Sequence, residues 1–333
     1  MFGYIRKNGK NQPLLSRYGF GPRFENKTIM QKGYEMKKVF SATVTPLRAD
    51  GSLDKQGLGR IFERNICHGV DGIFILGSMG EWGSFSDAFK LELVEESAKI
   101  IAGRTELLVG INATGLGLSL EHIRRYRGFE FDSYVFMLPG RTSTLDPVKS
   151  VLSVLDAAER PVYYYHCPPN NNVNLTLDQF ARIMEHPNLK GIKNSSSNMW
   201  LRRELLLLKL DRGFNTLLLE GQEWAADEAL LTGNDGMVCG MGALASKVMV
   251  NLARAADAGN LAETVRLQNV LIRIFHGIYG VGLENVWNGQ KYALCCLGLA
   301  ESPFTLAQEM DSLTDARKRE IEQCLAEFKN ELD

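Results

Sequence analysis

No run of about 18 or more uncharged apolar residues, the length a membrane-spanning helix requires, occurs in this chain, so no membrane partner is expected. Cys-x-x-Cys pairs are missing too. The six cysteines (Cys67, Cys167, Cys239, Cys295, Cys296, Cys324) are scattered, and the adjacent Cys295 and Cys296 stand in an apolar segment of helical pattern. A disulfide framework makes little sense there, and reduced thiols in a cytoplasmic protein are expected. The five histidines stand singly, with no His-x-x-x-His or Cys/His cluster, so a zinc site is not expected. Charge of one sign is not in excess either. The 38 Lys+Arg and 39 Asp+Glu give a formal net charge of -1, which offers no reason to expect nucleic acid or an anionic surface as partner. The apolar h-region of a secretory signal peptide is lacking as well.

What is present is an ordinary globular composition, 45% hydrophobic and 23% charged over 333 residues, enough to bury a large core. Residues 1–36 stand apart: Arg6, Lys7, Lys10, Arg17, Arg23, Lys27 and Lys32 face only Glu25 and Glu35, without sustained periodicity. They read as a basic arm, partly disordered, with Met36 as an alternative first residue. From Lys38 on, short β-branched or aromatic runs alternate with amphipathic helical segments. The strand candidates are 39–45, 72–77, 106–111, 133–139, 161–166, 189–193, 215–221 and 235–240; helices are expected near 54–68, 86–101, 119–127 and 147–158. Eight such units are the count of a parallel α/β barrel, a (β/α)8 TIM barrel, over residues 37–260. A doubly wound sheet would carry a glycine fingerprint after its first strand; the nearest match, "GLGLSL" at 115–120, follows the third and lacks the final glycine. Residues 261–333 read as a C-terminal helical extension, with helices near 261–278, 284–298 and 314–331.

Barrel chemistry sits where strands end, and Lys193 ends the run "LKGIK". If Ile192 faces the helices, alternation turns Lys193 into the barrel mouth. Lost hydration there lowers its pKa and raises the fraction of free amine, the form that attacks a carbonyl to make an imine. A strand-end lysine that snorkels to water, or pairs with a carboxylate, is the plainer alternative. Tyr165 ends the preceding strand on the same face as Tyr163 and opposite to Tyr164, and a phenol beside the amine can relay protons, although aromatic runs in strands are mostly packing. The third element is "GSMGEW", 77–82, whose two glycines permit a tight turn in which backbone N–H groups and the Ser78 hydroxyl converge on a carboxylate. Amine, phenol and cradle together describe a 2-keto-acid site.

On these pieces the chain, from about residue 37 to residue 332, resembles the family of dihydrodipicolinate synthase and N-acetylneuraminate lyase, the pyruvate-dependent class I aldolases. "TVTPL", G-S-M-G-E, Y-H-C-P and G-I-K-N-S-S stand in the family's order, and the separation of tyrosine and lysine, 193 - 165 = 28, agrees with it. The resemblance implies that Lys193 forms the Schiff base, that Tyr165 relays protons, and that Ser78 and the backbone of Met79 hold the carboxylate. The backbone carbonyl near Val238 would line the pyruvate pocket. It further implies a homotetramer that needs no metal or organic cofactor.

Several positions depart from the pattern. Met79 replaces a threonine hydroxyl of the relay, and Asn194 replaces the usual aspartate after the lysine. Gly140 and Arg141 stand where the synthases send a tyrosine into the neighbouring subunit's site, and Asn170 where they carry an arginine for aspartate semialdehyde. Glu223 lies where sialate lyases place an acid against substrate hydroxyls, although the same residue would suit a helix N-terminus. Asn170, Asn171 and Asn172 could bind hydroxyls or simply form a loop. The expected activity is therefore a pyruvate lyase or aldolase acting on a 2-keto-3-deoxy sugar acid or a sialic acid. The alternatives are 4-hydroxy-tetrahydrodipicolinate synthase or a 2-keto acid dehydratase of the same family and, from another class, a non-catalytic ligand-binding or regulatory member.

Overall fold

The structure, a computed structural model, describes residues 36–140 and 146–333. Residues 1–35 of the basic arm, and Arg141, lie outside the described residues. Eight short strands, β1 Lys38–Ala42, β2 Gly72–Ile75, β3 Glu106–Gly110, β4 Ser133–Phe136, β5 Val162–His166, β6 Leu189–Asn194, β7 Leu217–Glu220 and β8 Gly236–Cys239, pair in parallel and in sequence order, β8 closing on β1. This is the expected (β/α)8 barrel. All eight strands fall where the sequence places them, most of them trimmed at their ends, while β1 begins one residue earlier and β6 runs one residue further.

The helices between them are α1 Lys55–His68, α2 Asp87–Ile101, α3 Leu116–Tyr126, α4 Pro147–Ala157, a single turn α5 Pro168–Asn171, α6 Leu177–Met184, α7 Met199–Arg212, α8 Ala226–Leu231 and α9 Gly242–Asp257. Local chemistry starts them. Asp54, Ser86, Asp146 and Asn198 each accept a backbone N–H of the first turn, and Thr176 forms a reciprocal capping box with Gln179. Gly115 of "GLGLSL" is the residue before α3, which begins at Leu116, three residues earlier than its hydrophobic pattern suggests. The C-terminal extension comprises α10 Leu261–Tyr279, α11 Val286–Cys296, α12 Asp315–Glu327 and α13 Lys329–Leu332. The single helix expected at 314–331 is two, broken at Phe328, whose backbone leaves the helical region. No helix among the described residues is long and apolar enough to cross a membrane. All six cysteines are free.

Alternation along each strand sorts the core into two parts. Phe40, Phe74, Leu108, Val135, Tyr163, Tyr165, Leu219 and Val238 fill the barrel interior. Val39, Ile73, Tyr134, Tyr164, Ile192 and Met237 face the helices in the larger core. The two barrel ends differ. At the N-terminal end, Lys38 pairs with Asp71, Lys190 with Glu106 and Lys209 with Asp235. Asp71, Asp132 and Asp235 there also accept backbone N–H groups of Val39, Leu107 and Leu218. That end is spent on stability, which leaves the C-terminal mouth for chemistry.

Candidate active site

Lys193 and Tyr165 are direct partners across the β5–β6 pair, so both side chains leave adjacent strands on the same interior face. The Lys193 Nζ sits 4.3 Å from the centre of the Tyr165 ring and 5.6 Å from that of Phe74 on β2. Only 6% of Lys193 is exposed, which rules out a snorkelling lysine. Burial lowers its pKa from the ordinary lysine value, against the opposing pull of Cys239, Cys167, Glu223 and Glu220. The amine is thus pushed toward its neutral, nucleophilic form.

The Tyr165 phenol is pushed the other way. Burial, with Cys167 beside it, raises its pKa, while hydrogen bonds with Ser78 and Ser195 oppose the rise. It stays a neutral hydroxyl with two serine hydroxyls in reach, a chain along which a proton can move. Ser195 follows β6; its hydroxyl donates to the Gly221 carbonyl at 3.2 Å, and its own N–H donates to the His166 carbonyl at 2.8 Å. Sequence reasoning quoted the serine cluster after Lys193 without assigning Ser195 a part.

Gly221, after β7, is fixed by this neighbourhood. A Cβ there would stand 2.0 Å from Ser195 Oγ and 3.0 Å from Lys193 Cε, so the backbone of β7 passes where only glycine fits. The adjacent Glu220 turns away from the mouth. Its carboxylate pairs with Arg202 of α7 at 2.7 Å and accepts the N–H groups of Gly221 and Gln222, which sets the turn's shape.

The turn after β2 carries Ser78 and Met79 between two non-glycine residues in left-handed conformation, Leu76 (φ 56°) and Glu81 (φ 57°). Asn170 Nδ2 donates to Ser78 Oγ at 3.0 Å, which brings the loop after β5 onto the cradle. Asn171 and Asn172 serve the loop instead: Asn171 Nδ2 donates to the Leu138 carbonyl at 3.0 Å, and Asn172 takes the left-handed position that ends α5. Met79 turns toward β8; a Cβ on Gly240 would meet its Cγ at 2.8 Å and Glu223 Oε1 at 3.3 Å. Glu223 is buried, and its Oε1 accepts the Met241 N–H at 2.9 Å. Burial raises its pKa, opposed by that bond and by Lys193. Val238 stands in the barrel interior on β8, opposite Phe40 of β1.

Asn194 points out of the barrel, and its Oδ1 accepts the Ser196 N–H at 3.1 Å. An aspartate would make the same bond, so this departure leaves the site intact. Gly140 is exposed after β4.

Residues 35–327 match the model of the dihydrodipicolinate synthetase family. A 4-hydroxy-tetrahydrodipicolinate synthase of Gluconacetobacter diazotrophicus is 24% identical over 79% of this chain and 88% of its own. An uncharacterized DapA-like lyase of Rhizobium meliloti is 26% identical over 73% of this chain and 81% of its own. The solved structure of dihydrodipicolinate synthase from Bacteroides thetaiotaomicron is 27% identical, with a TM-score of 0.79 over 89% of this chain and all of that one. A chain with this barrel, this lysine and this tyrosine, matched over nearly all its described length, belongs to the dihydrodipicolinate synthetase family.

Proposed function

We propose that this protein is a lyase that forms an imine between Lys193 and pyruvate or another 2-keto acid, and that its full substrate is a 2-keto-3-deoxy sugar acid or a sialic acid. The observation that carries the reading is the buried Lys193 amine held against Tyr165, whose phenol reaches Ser78 and Ser195. In the proposed reaction the neutral amine attacks the ketone carbon and the carbonyl oxygen takes a proton to give a carbinolamine. A second proton lets that oxygen leave as water. A base takes the proton of the C4 hydroxyl, the C3–C4 bond breaks to release an aldehyde, and the imine accepts the freed electron pair as an enamine; reprotonation at C3 and hydrolysis return pyruvate and the free lysine. Tyr165 carries these protons, with Ser78 and Ser195 as its partners, while the 77–81 turn holds the carboxylate.

The sugar-acid half rests on what stands where the synthases recognise an aldehyde acid. Asn170 offers a neutral amide at the mouth, without the cation a second carboxylate requires. The chemistry needs neither metal nor organic cofactor, since the protonated imine is itself the electron sink. Assembly as a homotetramer is proposed from family likeness, and a cytoplasmic location from the six free thiols.

Borohydride reduction in the presence of pyruvate, followed by intact-mass measurement, tests the imine. A mass increase of one pyruvate, less water plus two hydrogens, mapped to Lys193, is expected; an unchanged mass under conditions that label a known aldolase would sink the mechanism. A screen of 2-keto-3-deoxy acids with pyruvate release as readout tests the substrate. The names of the curated relatives favour a second reading, condensation of pyruvate with aspartate semialdehyde, and activity with that aldehyde alone would establish it over the first.

A further inference from the structure

The carboxylate cradle is built from both ends of the chain. Glu81, the last residue of the turn, is 3% exposed and forms an ion pair with Lys291 of α11, itself 0% exposed. The other Glu81 oxygen accepts Thr305 Oγ1 at 2.6 Å and the N–H groups of Leu306 and Ala307 at 2.9 and 3.2 Å. Lys291 donates a second bond to the Phe304 carbonyl at 3.0 Å. One turn before Lys291 on α11, Trp287 Nε1 donates to the carbonyl of Ser78 itself at 3.2 Å. From the barrel side, Thr45 Oγ1 holds the Gly80 carbonyl at 3.0 Å and Asn112 Nδ2 the Leu76 carbonyl at 3.2 Å. A turn with two non-glycine residues in the left-handed region keeps that shape only while its surroundings dictate it.

We propose that Trp287 and Lys291 are positioning residues for the 2-keto-acid carboxylate. They hold the turn through Ser78 and Glu81, so that keto-acid affinity is set from the C-terminal helical extension. The inference rests on the imine chemistry proposed above. It differs from a merely structural role in where the bonds end: one on the carbonyl of the residue whose hydroxyl meets Tyr165 and Asn170, the other two residues beyond Met79. Loss of either bond loosens the cradle while Lys193 and Tyr165, on β6 and β5, stay in place.

The test is the pyruvate concentration that half-saturates borohydride trapping, measured on the full chain for wild type, Trp287→Phe, Lys291→Met and, as a control, Lys209→Met. Trp287→Phe keeps an aromatic ring at the position but removes the indole N–H with the five-membered ring that carries it, so half-saturation should rise at least about two- to tenfold, the worth of one hydrogen bond, while trapping at saturating pyruvate stays close to wild type. Lys291→Met should raise it further. Lys209→Met breaks an ion pair at the opposite end of the barrel and should leave half-saturation unchanged even where it lowers the melting temperature. Wild-type half-saturation in both Trp287→Phe and Lys291→Met, or an equal rise in Lys209→Met, would overturn the positioning role and leave the imine mechanism standing. A wild-type protein that pyruvate and borohydride fail to label would overturn both.

Discussion

Replacing Lys193 by methionine should abolish imine formation and make the protein more stable at neutral pH. Lys193 is 6% exposed and packed over the Tyr165 and Phe74 rings, and burial lowers its pKa ahead of the attraction of Cys239, Cys167, Glu223 and Glu220. The unfolded chain holds its lysine near the ordinary 10.5. Between the lowered folded value and 10.5, unfolding therefore takes up a proton, so stability rises with pH through that window and the full penalty stands below it. Each unit of depression corresponds to about 1.4 kcal/mol. Methionine has nearly the length of the lysine stem and no charge, and a volume-conserving swap of this kind costs less than about 1.5 kcal/mol. The penalty relieved exceeds that cost once the depression passes about one unit, so the expected net change at neutral pH is a gain, read as a higher melting temperature. Thermal melts of both proteins from neutral pH to about pH 10 would read it, and the advantage of the variant must shrink as pH rises. A methionine variant less stable at neutral pH, by a margin independent of pH, would refute the reasoning. It would mean that Lys193 is held as a paired cation.

Gly221→Ala places a methyl 2.0 Å from Ser195 Oγ and 3.0 Å from Lys193 Cε. A displacement of this order at the reacting group should lower kcat/KM by about 100-fold, checked by steady-state pyruvate release with the fold monitored by circular dichroism. Tyr165→Phe keeps the ring under the amine and removes the proton carrier, so turnover should fall by about 100- to 10,000-fold while slow borohydride trapping persists. Lys291→Met alone leaves the Glu81 carboxylate buried without its cation and should cost about 3–5 kcal/mol in urea unfolding; adding Glu81→Leu should recover part of that loss. His166 faces outward against Phe180, with no hydrogen-bond partner for either ring nitrogen among the described residues, and burial lowers its pKa to about 4. The unfolded histidine protonates near 6.5 and the folded one only near 4, so stability should fall by about 3 kcal/mol as pH drops across that range, and His166→Leu should flatten the fall.

How much of this was legible follows from the range of each interaction. The barrel was readable because strands and helices announce themselves by local periodicity, and alternation alone turned Ile192 outward and Lys193 and Tyr165 inward, where they are found. Ser78 and Met79 were found through two glycines within five residues. The break at Phe328 was invisible because the hydrophobic pattern continues across it. Glu223 has the identity expected of a hydroxyl-binding acid, yet its Oε1 is taken by the Met241 N–H, a contact between two βα loops that no spacing encodes. The Glu81–Lys291 pair joins residues 210 positions apart, and nothing near Lys291 marks it as more than one helical lysine among many. Sequence shows what a segment does by itself, whereas burial is decided by what packs on it.

Asn194 and Met79, two departures from the family pattern, are the grounds for a non-catalytic family member, and the geometry weighs against both. Asn194 makes a turn bond that aspartate would also make, outside the barrel interior. Met79 does remove a hydroxyl, but Tyr165 is not left alone, because Ser78, from the turn after β2, and Ser195, just past the neighbouring β6, both reach it. A binding protein that no longer used its lysine would have no reason to bury an amine whose charge is disfavoured there; burying it lowers stability at neutral pH, and a leucine or methionine would relieve the penalty. Retention of a buried amine against a neutral phenol supports the proposed imine chemistry over a binding role. What Met79 changes is the wall shared with Gly240 and Glu223, where a thioether and a carboxyl group both border Gly240. That wall stands beside the cradle and not between Lys193 and Tyr165, so its effect should fall on which 2-keto acid fits and not on whether one reacts.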